Sequence, residues 1–104
     1  IYRDADGLAT SSRNRRLSAK ARKIAPKIHE ILLKSATLAK DMSYSQIKSY
    51  VEGEFAMRND FELEYFEVVD AKTLQPIRRP SENGAVGCVA VWLDGVRLID
   101  IQKY

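Results

Sequence analysis

The run AVGCVAVWLDGVRLIDIQ, residues 85–102, constrains the fold more than any other stretch. A mostly apolar segment, an Asp-Gly pair and a second branched, apolar segment together are the strongest short-range signal for a β-hairpin. A tight two-residue turn needs positive φ, which Asp and Gly accept at low cost. Upstream, FELEYFEVVD (residues 61–70) is rich in aromatic and branched residues and alternates at first, with Phe61, Leu63 and Tyr65 set against Glu62 and Glu64. It reads as a third strand. The linking AKTLQPIRRPSENG, with two prolines, reads as a loop.

Before residue 60 the hydrophobic period is helical. Ser18 reads as an N-cap, and Pro26 predicts a short first helix with a restart or kink beside it. Ile24, Ile28, Ile31, Leu32, Ser35, Leu38 and Ala39 fall on one stripe, which predicts a core-facing helix ending near Asp41. Ser43 and Gln46 form a capping box for another helix, whose apolar face is Ile47, Tyr50, Val51 and Phe55. The expected architecture is α+β, with two or three helices packed on one face of a small antiparallel sheet of about three strands.

At 104 residues the chain is sized for one domain. No apolar run approaches the roughly 18 residues that a membrane span needs. Cys88 is the only cysteine, so no internal disulfide can form, in keeping with a reducing compartment. The chain opens on Ile1 and Tyr2, which read like the tail of a strand cut from something upstream, so an excised domain is expected. The net charge of +3 is uneven: residues 1–27 hold eight Lys/Arg and two Asp, and the remainder carries a charge of −3. A concentrated positive end attracts a polyanion, whether nucleotide phosphates, nucleic acid or anionic lipid, or is simply a solvated face.

That positive end contains DGLATSSRNRRLS, residues 6–18. Thr10, Ser11 and Ser12 supply hydroxyl donors, Arg13 supplies a planar fork matched to two phosphate oxygens, and Gly7 allows a sharp turn before them. Three readings stay open on chemistry alone: a phosphate-gripping loop, a solvated leader and a nucleic-acid arm.

Other constellations are poorer. His29 is the sole histidine and lies beside the apolar stripe, which predicts a surface or boundary role and neither a metal site nor a catalytic pair. Cys88, in an apolar strand, reads as a small buried hydrophobe. Glu62, Glu64 and Glu67 read as the wet face of a strand. Tyr65, Phe66 and Trp92 could stack on bases, but at strand spacing aromatics belong more often to a core, and their surroundings are acidic.

Three ordered motifs then carry a resemblance. RDADGLATSSRNRRL (residues 3–17), YFEVVDAKTLQPI (65–77) and VAVWLDGVRLID (89–100) resemble the C-terminal domain of the pantothenate synthetase (pantoate–β-alanine ligase) family along essentially the whole chain. The resemblance implies an ATP-dependent ligase of the nucleotidyltransferase superfamily, cytoplasmic and on the route to coenzyme A. In such an enzyme pantoate's carboxylate attacks the α-phosphorus of ATP, accompanied by Mg²⁺, and pyrophosphate leaves. The amine of β-alanine then displaces AMP from the pantoyl adenylate.

It further implies that residues 1–104 are a lid domain, with residues 1–17 as a nucleotide-contacting loop and 18–104 as helices and sheet. The N-terminal Rossmann-like domain, with its His-x-Gly-His-type motif, is absent from this sequence. That domain is the expected partner, and the full-length protein an expected homodimer that binds neither nucleic acid nor membrane. By matching position, Tyr2, Thr10, Ser11, Ser12 and Arg13 are the expected ATP contacts. Arg13 offsets charge on the departing pyrophosphate, Thr10 stands where the family usually has Met or Leu, and Tyr2 acts mainly through its backbone. No catalytic residue beyond Arg13 and no metal ligand is expected within the chain. Without its facing half-site, the segment 1–17 is expected to be mobile unless crystal contacts or an extra strand pair pin it. The alternative is a small basic nucleic-acid-binding module.

Overall fold

A computed structural model describes residues 2–104; Ile1, half of the expected strand tail, lies outside the described residues. A short 3₁₀ helix at Ser12–Arg16 is followed by helices α1 (Ala19–Ile24), α2 (Lys27–Leu38) and α3 (Tyr44–Ala56). Strands β1 (Phe61–Asp70), β2 (Ala85–Leu93) and β3 (Val96–Lys103) form one antiparallel sheet in the order β1-β2-β3. The expected α+β architecture is what the chain adopts.

The helix signals act locally as the sequence predicts. The Ser18 hydroxyl accepts from the Ala21 N–H, and α1 ends before Pro26, which has no N–H to continue the ladder. Ala25 and Pro26 bridge to α2, and turns carry the chain from Leu38 to Asp41. Ser43 and Gln46 complete the capping box in both directions, at 2.9 and 3.1 Å. Ile28, Ile31, Leu32 and Ser35 of α2 meet Ile47, Val51 and Phe55 of α3 in a core floored by Val89, Val91, Leu93, Val96 and Leu98 of the sheet. Burying these apolar side chains contributes roughly 1.5–3 kcal/mol each before the entropy of ordering them is set against it.

Asp94 (φ 54°) and Gly95 (φ 73°) both lie in the left-handed region that a type I′ turn demands, so β2 and β3 pair as a tight hairpin from Leu93 and Val96 outward. β1 departs from its expected alternation. The register slips between Leu63 and Tyr65, a β-bulge with Glu64 as the extra residue. Tyr65 therefore turns to the outer face, 40% exposed, and Phe66 takes the inward place at 1%. Glu64 itself accepts from Arg97 Nε (2.8 Å), Arg97 Nη2 (2.7 Å) and Trp92 Nε1 (3.0 Å), a link across the sheet that a regular alternation would not reveal.

Two buried polar points close the fold. The Asp70 carboxylate accepts from the Ser81 hydroxyl, the backbone N–H groups of Lys72 and Thr73, and Asn83 Nδ2, which holds its pKa well below the usual carboxylate range. These bonds gather the loop over residues 71–84. Tyr104 passes over Gly87, where any Cβ would lie 2.9 Å from the phenol oxygen, and its hydroxyl meets Ser35 Oγ at 2.8 Å. Burial pushes that phenol up to about 12. Among the described residues no helix is long and apolar enough to cross a membrane.

Candidate phosphate-binding loop

Residues 2–10 fold into a miniature hairpin. Thr10 N donates to Tyr2 O (2.9 Å), Asp4 N to Leu8 O (2.8 Å) and Gly7 N to Asp4 O (2.9 Å), and Arg3 bridges Ala9. Gly7 closes the turn at φ 95° and rests on the His29 ring. Leu8, 3% exposed, plugs the hairpin into the core. Over residues 3–10 the segment has the extra strand pair that the expectation of mobility exempted, and it folds onto its own domain through tethers from residues far along the chain.

The principal tether is ionic. Arg3 donates from Nη1 to Asp100 Oδ2 (2.7 Å) and from Nη2 to Asp100 Oδ1 (2.9 Å), the parallel two-bond geometry that suits guanidinium to carboxylate. Its remaining bonds go to the carbonyls of Gly7 and Ile101, both at 3.0 Å. On the outer rim Arg22 spans Asp6 (2.7 and 3.2 Å) and Asp4 (2.9 Å), and its bonds hold the Asp6 carboxyl below its ordinary range. Asp4 also accepts from the Thr10 hydroxyl at 2.8 Å.

The expected ATP contacts emerge at the end of this hairpin. Ser11 caps the 3₁₀ helix, its Oγ accepting from Arg13 N at 3.2 Å, which leaves its hydroxyl proton free to donate. Ser12 and Arg13 are exposed, and among the described residues Arg13 has no ion-pair partner. Thr10 differs: its hydroxyl proton is spent on Asp4 and its backbone N–H on Tyr2 O, so it has no donor left for a phosphate oxygen. Tyr2 is 90% exposed. A cavity of about 290 Å³ lies between the loop and β3, touched by Tyr2, Thr10, Ser11 and Arg13 but not by Ser12.

The structure therefore brings together four of the five expected residues at one cavity and places Ser12 beside them in sequence, outside its lining. Sequence reasoning overlooked Arg3 and Asp100 as a pair. The available signal was a carboxylate at an inward position of β3, where a buried charge requires a partner.

The loop suits a phosphate better than a metal ion. Its nearby acids are already committed, Asp4 and Asp6 to Arg22 and Asp100 to Arg3. No group of three His, Cys, Asp or Glu among the described residues could hold an ion. His29 sits half-buried at the boundary, as expected. Burial first, then the Arg3 charge, lowers its pKa, with Asp100 and Glu30 opposing. Cys88 is only half-buried, and burial pushes its thiol up. Of the three aromatics expected in the core, only Phe66 points there; Tyr65 and Trp92 share the exposed outer face of the sheet with Glu62 and Glu64, whose negative charge opposes a nucleic acid on that surface.

A family model described as pantoate-beta-alanine ligase matches residues 1–103. A pantothenate synthetase from Phocaeicola vulgatus is 47% identical over 105 residues, covering all of this chain and 37% of that protein. One from Bacteroides fragilis is 46% identical with the same coverage. The crystal structure of pantothenate synthetase from Thermus thermophilus superposes with a TM-score of 0.87 at 34% identity, covering 98% of this chain and 37% of that one. The chain thus spans somewhat over a third of the length of the relatives it matches.

Proposed function

The chain belongs to the pantoate–β-alanine ligase family, and from that premise we propose that it is the lid domain of such a ligase, gripping the triphosphate of ATP while pantoate is adenylated. The observation that carries this reading is the placement of Ser11, Ser12 and Arg13. They are exposed, and they follow directly on a hairpin fastened to the domain. Hydroxyls and a free guanidinium held this way are a preorganised set of donors for anionic oxygens.

In the proposed reaction the pantoate carboxylate attacks the α-phosphorus, and negative charge grows on the leaving pyrophosphate. Arg13 meets that charge with its two-pronged fork, and Ser11 and Ser12 donate to the β- and γ-phosphate oxygens. Mg²⁺ would accompany ATP, and no residue of this loop is assigned to it. The amine of β-alanine then attacks the pantoyl adenylate and AMP departs. Arg15, Arg16 and Lys20 raise the positive potential around the loop and favour the approach of the nucleotide. The compartment proposed is the cytoplasm, and the proposed partner is the substrate-binding domain of the same protein, in a homodimer.

In the full-length enzyme, Ser12→Ala and Arg13→Ala should each slow pantoyl adenylate formation at least about tenfold, equivalent to ~1.4 kcal/mol of transition-state stabilisation. Single-turnover adenylation measures this directly. Unchanged rates in both variants would remove the loop from the reaction.

A further inference from the structure

Asp100 is 2% exposed and stands on the helix-facing side of β3, opposite Val89 and two residues from Leu98. An apolar side chain would serve the core there at least as well. A buried ion pair is seldom more stabilising than a well-packed hydrophobic replacement, because desolvation offsets the attraction. Both Asp100 oxygens are nevertheless engaged: Arg3 bonds each of them, and Ile101 N donates to Oδ1 at 2.7 Å.

Arg3 in turn bridges Ala9, the residue before Thr10, and holds the Gly7 carbonyl at the turn. Asp100 also borders the cavity that Thr10, Ser11 and Arg13 line. The Arg22 pairs on the rim are more exposed to solvent screening and so hold the loop less firmly than the buried pair. The buried pair is thus the fixed point from which the loop projects.

We infer that Asp100, acting through Arg3, is a positioning residue that sets where residues 11–13 stand relative to the domain body and so controls the grip on the ATP phosphates. The inference rests on the proposed function of the loop. Neither residue needs to touch the nucleotide. An error of about 1 Å in such a placement costs on the order of a hundredfold in rate.

The test is steady-state kinetics of the full-length ligase with each of its three substrates varied in turn. Asp100→Asn removes the charge at constant size, and Arg3→Lys keeps the charge but loses the double bond to the carboxylate. Asp100→Asn should raise KM for ATP at least about fivefold or slow single-turnover adenylation per active site by at least as much, with KM for pantoate and β-alanine unchanged within about twofold. Arg3→Lys should fall between this variant and the wild type. The double variant should be no worse than Asp100→Asn alone.

A merely structural pair gives a different result: less active enzyme, with every KM and the single-turnover adenylation rate per active site unchanged. That outcome, or wild-type kinetics in both variants, overturns the inference. If Asp100→Asn fails to fold, Arg3→Lys decides by the same split. A wild-type enzyme without ATP-dependent pantothenate formation, or one indifferent to Ser12→Ala and Arg13→Ala, removes the loop's function and this inference with it. An enzyme sensitive to those two changes but not to Asp100→Asn or Arg3→Lys overturns the inference alone.

Discussion

A side chain added at Gly7 would come within 2.6 Å of His29 Cδ2, and Gly7 already sits at φ 95°, so the turn of the loop is seated directly on the imidazole. The His29 Nδ1 is buried without a hydrogen-bond partner, and the Arg3 cation bears on the ring. Both features favour the neutral ring; Asp100 and Glu30 favour the charged one and are outweighed. The folded-state pKa is therefore below the ordinary 6.5. Above that ordinary value the ring is neutral in both states and costs nothing. As pH falls through it, the unfolded chain takes up a proton that the folded chain resists, and stability declines. Urea unfolding should show the wild-type chain losing stability between about pH 7.5 and 5.5. In His29→Gln that slope should flatten, since the carboxylates held low by partners, such as Glu54 and Glu64, titrate below this window. Parallel pH profiles for the two proteins would refute the account.

Asp94 shows how one turn residue serves two elements. It occupies the left-handed region in the β2–β3 turn, and its Oδ2 accepts from the Ser18 N–H at 2.8 Å, tying the hairpin to the start of α1. Asp94→Asn keeps both the left-handed tolerance and an acceptor, so it should change stability by less than about 0.5 kcal/mol. Asp94→Ala loses both and should cost about 1–2 kcal/mol in chemical denaturation. Equal stability of the two variants would count against the tie. The turn itself was legible in the sequence, because Asp-Gly between apolar runs names its own geometry. The tie was not, because it joins positions 76 residues apart. The same distinction explains β1. Its existence follows from composition, while the bulge at Glu64 depends on Trp92 and Arg97, which only the folded sheet brings alongside. Local codes, such as the Ser43/Gln46 box and the break at Pro26, read correctly for the same reason: their partners lie within a few residues.

At the scale of the molecule the candidate site is one-sided. The types of residue that bind phosphate were readable in residues 10–13, but the machinery that presents them was not, since Arg3 finds Asp100 across 97 positions and Arg22 reaches back to Asp4 and Asp6. That machinery ends in an open surface. The cavity beside the loop, about 290 Å³, is at the lower limit of ligand pockets, which typically enclose most of the bound molecule. A triphosphate laid against residues 11–13 would gain a few charge-assisted bonds while keeping most of its surface in water. Those bonds must also offset the lost translational and rotational freedom of association. The chain covers 37% of the relatives it matches, and the proposed lid would meet its facing half in the remainder. The chain of 104 residues alone should therefore form no pantothenate, and calorimetric titration with Mg²⁺·ATP should give a Kd weaker than ~1 mM, with less than about 4 kcal/mol of binding free energy. The same titration of the full-length enzyme should be tighter by a factor of about ten or more. Arg13→Ala should narrow that gap, because its guanidinium contributes only when the nucleotide is held from both sides. Sub-millimolar binding by the isolated chain would mean that the loop is a complete nucleotide site in its own right and that closure over a second domain is not what makes it one.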